Sequence, residues 1–181
     1  MPAYVALLRG INVSGRNTIK MEQLRGLCNR LGFERVDTYL QSGNIVFQAA
    51  TKNPADLSKR ICETILNSFG FDIPVIVRTS KEMENMLANN PFLKEKDVDT
   101  SKLHVTFLQE AAQRSSLEKL EGLATGQDRF CPASREIYLD CRGGYGRTKL
   151  SNNAIEKALS VTATTRNWRT TNTLYEMVSK H

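Results

Sequence analysis

Apolar side chains recur along this chain with two alternating periods. Ala3 to Arg9 is almost continuously apolar, which predicts a strand buried on both faces. Met21, Leu24, Leu27, Cys28 and Leu31 then follow the three-to-four spacing of a helix, with Gly32 as a natural stop. Val36 to Gln41 and Asn44 to Ala49 read as two strands joined by Ser42 and Gly43. A second helical stripe, Leu57, Ile61, Ile65, Leu66 and Phe69, begins after Pro54 and Asp56, and Ile73 to Arg78 returns to strand character. The order β-α-β-β-α-β predicts a ferredoxin-like unit.

The remainder imitates this order. A helix from Ser80 to about Asn89 stops before Pro91, and a charged stretch, Lys94 to Asp99, reads as a surface excursion. Leu103 to Gln109 predicts a strand and Ser115 to Leu123 a short helix. Asp128 to Cys131 with Glu136 to Cys141 predicts a hairpin around Pro132-Ala133-Ser134. A glycine-rich loop, Arg142 to Lys149, leads to two helices, Asn153 to Leu159 and Asn167 to Lys180. The expected fold class is therefore α+β, with two ferredoxin-like halves in tandem, βαββαβ and a degenerate βαββαα. Residues 1–79 form the first half and 80–181 the second, together one compact unit.

The 181 residues are 40% hydrophobic and 24% charged, ordinary values for a globular chain. No apolar run approaches the roughly 20 residues that span a bilayer, so no membrane partner is expected. No basic flank, apolar stretch and cleavage site opens the chain, and a cytoplasmic location is expected. Cys28, Cys62, Cys131 and Cys141 have no metal spacing and read as reduced thiols.

The net charge of +6 is unevenly placed. Residues 1–50 hold six Lys and Arg against three Asp and Glu, residues 51–141 hold 12 against 14, and residues 142–181 hold seven against two. The basic excess thus lies at the two ends, which favours a localised anionic ligand. It also lies where helices begin. A helix N-terminus carries about +0.5 charge and free N–H groups, so acids usually gather there. Here Arg9, Arg16 and Lys20 precede the first helix, Arg147 and Lys149 precede the one opening near Asn153, and Arg166 and Arg169 bracket the last. A bound phosphate would turn each unfavourable arrangement into a favourable one. Structural alternatives stand beside this: Gly10 and Gly15 as turn residues, Asn153 as a helix cap with Glu156, Gln41 to Asn44 as a simple hairpin turn, and Trp168 as a packing residue rather than a stacking platform.

Four segments carry a resemblance. Leu7-Leu8-Arg9-Gly10-Ile11-Asn12-Val13, Thr38 to Phe47 around Gln41-Ser42-Gly43-Asn44, Gly146 to Glu156, and Thr164-Thr165-Arg166-Asn167-Trp168-Arg169-Thr170 resemble the motifs of a bacterial family known as domain of unknown function 1697. The resemblance implies an α+β fold of two related ferredoxin-like halves and brings no activity, substrate or cofactor. Ser14, Arg169, Asn172 and Thr173 depart from the family's commoner residues.

Familiar catalytic machinery is missing from the pattern. The histidines are His104, on the polar side of a strand, and His181, so a Ser–His or Cys–His dyad is poorly supported. Gly143 to Lys149 lacks the P-loop spacing and the dinucleotide fingerprint. No metal site and no cofactor are expected. The functional expectation is a phosphate-bearing ligand, nucleotide-like or a nucleic-acid backbone, held at a basic cleft between the halves by Arg9, Asn12, Ser42, Asn44, Lys149, Arg166, Asn167 and Trp168. Two other readings stay open: a metal-independent enzyme on a small phosphorylated or carboxylated metabolite, with Lys149 as its candidate catalytic group, and an interaction domain in which these residues are structural.

Overall fold

The computed structural model describes residues 1–181. The chain forms two compact units, Met1–Asn85 with Thr173–His181, and Met86–Asn172. Each contains one four-stranded antiparallel sheet.

In the first unit β1 (Ala3–Leu8), α1 (Met21–Arg30), β2 (Glu34–Tyr39), β3 (Asn44–Gln48), α2 (Pro54–Phe69) and β4 (Val75–Thr79) follow in the expected order. The strands lie in the order β2-β3-β1-β4, every neighbouring pair antiparallel. Period-two alternation sends Tyr4, Ala6, Leu8, Ile45, Phe47, Val75 and Val77 to the helix-covered face. There they meet Leu24, Leu27 and Cys28 of α1 and Leu57, Ile61 and Ile65 of α2, all fully buried. Burying each of these leucines and isoleucines contributes about 1.5–3 kcal/mol, which is what holds amphipathic helices to the sheet. Asn53 caps α2, its side chain accepting the Ala55 N–H at 3.0 Å, and Pro54 fills the first position, where a missing N–H costs nothing.

The second unit contains β5 (Leu103–Leu108), α4 (Arg114–Leu117) continuing as a 3₁₀ segment (Glu118–Leu123), β6 (Arg129–Pro132), β7 (Glu136–Asp140), α5 (Asn152–Leu159) and β8 (Ala163–Asn167). Its strand order, β6-β7-β5-β8, repeats that of the first unit. Pro132 is tolerated because β6 is an edge strand. Leu108, Leu120, Ile137, Leu139, Leu150, Ile155 and Leu159 form its helix-side core. Two further helices, α3 (Ser80–Ala88) and α6 (Trp168–Val178), contain the points at which the chain passes from one unit to the other.

β8 corrects the expected degenerate order. The second unit runs β-α-β-β-α-β, and the last helix begins only after this strand. Ala163-Thr164-Thr165-Arg166-Asn167 lacks the apolar alternation that marks a strand, so its pairing with β5 is set by tertiary context. A cross-strand hydroxyl pair, Thr106 with Thr165 at 2.8 Å, takes the place of apolar contact.

Candidate functional site

The loop between β1 and α1 folds as a miniature hairpin. The Asn12 N–H donates to the Asn17 carbonyl at 3.2 Å and the Arg16 N–H to the Val13 carbonyl at 2.9 Å. Ser14 and Gly15 form the two-residue turn with φ of 50° and 72°, the left-handed pair that matches strand twist. The Arg9 N–H reaches the Pro74 carbonyl at 2.9 Å. The N–H groups of Arg9, Asn12 and Arg16 are therefore spent on the protein's own carbonyls and are not available to an anion. What faces outward is charge: Arg16 and Lys20 are exposed and make no ion pair, while Arg9 is half-buried.

Asn12 holds this hairpin in place. Its Nδ2 donates to the carbonyls of Ile19 at 2.9 Å and Gln41 at 2.8 Å, and its Oδ1 accepts the Ile19 N–H at 2.9 Å. Asn44, fully buried, donates from Nδ2 to the Tyr39 carbonyl at 2.6 Å and to the Ser42 hydroxyl at 3.1 Å. These bonds clamp the β2–β3 turn, and Gly43 completes it. A Cβ there would stand 2.6 Å from Ile11 Cδ1 and 2.9 Å from Leu8 Cβ, and its φ is +82°. Arg9, Asn12, Ser42 and Asn44 are thus gathered at one end of the first sheet, the two asparagines as fasteners.

In the second unit the loop from Arg142 to Lys149 is pinned at three points. The Tyr145 ring stacks on His104 with centroids 4.6 Å apart, and its hydroxyl accepts the Asn152 N–H at 3.0 Å. Thr148 Oγ1 donates to Asp128 at 2.6 Å. Arg142 is held by the nearly buried Asp140 carboxylate, Nε to Oδ2 3.1 Å, which also receives Arg129 at 2.6 Å. Arg129 pairs in addition with Glu95 at 2.7 Å, and this hydrogen bond holds the Glu95 carboxyl below its ordinary range. A hollow of about 510 Å³ opens beside these ion pairs, with Asp99, Lys102, Asp140 and Arg142 among its lining residues. Arg147 and Lys149, beyond it, are exposed and make no ion pair.

The start of α5 is already partly occupied. Ser151, not Asn153, is its cap, the hydroxyl accepting the Ala154 N–H at 3.3 Å, while Tyr145 takes the N–H of Asn152. Glu156 accepts the Ala163 N–H at 2.9 Å, so it fastens β8 rather than completing a capping box. Asn152 itself bridges the Ala163 carbonyl and Thr165 at 2.9 and 3.0 Å.

Arg166 lies inside β8 rather than at a helix start. It is 8% exposed, its Nη1 donates to Thr164 Oγ1 at 2.7 Å and to the Thr165 carbonyl at 3.0 Å, and burial pushes its guanidinium down to about 10. Asn167 caps α6, accepting the Thr170 N–H at 2.8 Å. Trp168 is also 8% exposed, which leaves little indole face for a stacking base. Of the cations that the sequence singled out in this unit, Arg147, Lys149 and Arg169 are exposed and Arg166 is buried.

The sequence reading passed over Tyr145 and Arg78. Tyr145 was legible only as a loop aromatic, since its partners are about 40 and seven residues away. Arg78 is 1% exposed and lies opposite Val5 in the β1–β4 ladder, as Arg166 lies opposite Val105 in the β5–β8 ladder. Each arginine thus sits on the fourth strand of its sheet, opposite the third residue of the first strand. This register match is a trace of internal repetition that no side-by-side reading of the two halves displays.

Comparison with known proteins agrees with the family resemblance. A solved structure, the conserved bacterial protein SP0830 from Streptococcus pneumoniae, is 24% identical and superposes with a TM-score of 0.77 over 98% of both chains, which establishes a shared fold. No curated protein matches the chain. The model of the family described as protein of unknown function (DUF1697) matches residues 1–138, and the chain belongs to that family.

Proposed function

We infer that the chain binds a phosphate-bearing ligand, nucleotide-like or a nucleic-acid backbone, through exposed cations on loops held rigid by their own side chains. One observation carries this reading: Arg147 and Lys149 stand unpaired on a loop fixed by Tyr145 and Thr148, while the neighbouring Arg142 is neutralised by Asp140. Cations without carboxylate partners on a pre-organised loop lose little entropy on meeting an anion. The common strand order supports reading the units as two ferredoxin-like halves. Four free thiols support a reducing, cytoplasmic setting.

The test is titration of the protein with a fluorescent adenine nucleotide and with a short single-stranded RNA. Replacing Arg147 and Lys149 together by Ala is expected to weaken binding about tenfold or more, with unchanged melting temperature. A steep fall of affinity with salt marks the polyanion and a shallow one the nucleotide. Equal affinity of wild type and variant for both probes removes the reading.

A further inference from the structure

Apart from Met1, the most exposed large apolar side chains are Val13 and Leu40, at 56% and 52%. Single exposed aliphatic residues are ordinary. These two belong together, because Val13 follows Asn12 and Leu40 precedes Gln41, the two residues joined by the 2.8 Å bond between the loops. They therefore flank one hydrogen bond on the rim of the first unit.

Leu40 is unusual in a second way. Its φ is +59°, the left-handed region, which a branched side chain disfavours and asparagine or glycine tolerates. The bonds from Asn44 to the Tyr39 carbonyl and from Asn12 to the Gln41 carbonyl hold the backbone on either side of it. A side chain that strains the backbone and stays in water returns nothing to the fold. Strain of this kind, over-determined by its surroundings, points to a contact outside the molecule.

We propose that Val13 and Leu40, with Arg16 and Lys20 beside them, form a docking surface for an acidic segment of a partner protein that carries aliphatic side chains. The charge is complementary: residues 9–20 contain Arg9, Arg16 and Lys20 and no acid, and both Arg16 and Lys20 are exposed without an ion pair. The chemistry alternates. Exposed Ser14 follows Val13 in the chain and exposed Gln41 and Ser42 follow Leu40, a mixture of apolar and polar groups that a peptide can match with side chains and backbone. A nucleic acid offers aliphatic side chains little beyond the thymine methyl, and a lipid surface leaves the neighbouring amide and hydroxyl groups without matched partners. This surface is independent of the Arg147 and Lys149 loop.

The test presents the immobilised full-length chain with a displayed library of short peptides built from Asp, Glu, Leu, Ile, Val, Ser and Gly. Wild type is expected to enrich sequences combining acids with aliphatic residues, and synthetic peptides from that pool to lose affinity about tenfold or more in Leu40→Asn and in Val13→Thr. Leu40→Asn is also expected to melt at the wild-type temperature or above it, because asparagine relieves the strain. Arg147→Ala with Lys149→Ala should leave peptide affinity unchanged, which separates this surface from the phosphate-binding reading. No enrichment, enrichment that persists in Leu40→Asn, or a lower melting temperature for that variant overturns the proposal. Tighter, Leu40-dependent binding to vesicles containing phosphatidylserine or to a single-stranded RNA overturns it as well.

Discussion

Asn12 and Gln41 are joined by a 2.8 Å hydrogen bond from the Asn12 Nδ2 to the Gln41 backbone carbonyl, which ties two loops that are 29 residues apart in sequence. Two more bonds from the same side chain run to the carbonyl and N–H of Ile19. The residue sits at φ 53°, where asparagine is among the few side chains tolerated. Asn12→Ala removes all three bonds and keeps the disfavoured backbone angle. A loss of about 2–4 kcal/mol is expected in urea unfolding, at unchanged slope.

Gly43 and Gly15 both have positive φ but differ in surroundings. Gly43→Ala places a methyl against Ile11 and Leu8, whereas a Cβ on Gly15 meets nothing within 4 Å. Gly15→Ala is expected to cost only the backbone term, about 1 kcal/mol, and Gly43→Ala about 2–4 kcal/mol through added overpacking. Partial rescue of Gly43→Ala by Ile11→Val, measured as a double-mutant cycle, checks the mechanism.

Tyr145 links the basic loop to α5 and to β5. Tyr145→Phe keeps the stack on His104 and loses the bond to Asn152, an expected cost of about 1 kcal/mol. Tyr145→Ala loses both contacts. Faster hydrogen exchange over residues 142–149 in the alanine variant, but not over β6 and β7, is the expected outcome.

Burial lowers the pKa of His104 below its ordinary 6.5, while a bond to the Lys102 carbonyl works in the opposite sense. Between the folded value and 6.5 the unfolded chain binds more protons, so stability rises with pH through that window. His104 thus contributes fully above pH 6.5 and loses its contribution as pH falls through the folded value. Unfolding free energies of wild type and His104→Gln, compared between pH 7.5 and 5, should converge on the acid side.

Much of the fold was legible in local pattern. The three-to-four spacing of Leu24, Leu27 and Cys28 and of Leu57, Ile61 and Ile65 marks the sides of α1 and α2 that the structure buries. β8 was not legible, because Thr164, Thr165 and Arg166 show no apolar period and acquire strand geometry only by completing the edge of β5. The polar motifs were legible as special without revealing their task. Asn12, Asn44 and Asn167 look like ligand-binding residues in sequence, since an amide that grips a backbone loop and one that grips a ligand use the same groups.

Local spacing by itself determined which stretches become helices and most strands, where the turns fall, and that positive charge gathers at both ends of the chain. These follow from short-range geometry and from composition. Only the tertiary structure decided which cations stay free, because Glu95 comes from 34 residues away to meet Arg129, and Asp140 serves Arg129 across the β6–β7 hairpin as well as the nearby Arg142, while Arg147 and Lys149 meet no carboxylate. Burial of Arg166 and exposure of Leu40 were decided the same way: solvent access depends on neighbours brought in by folding, and the residue's own identity does not encode them.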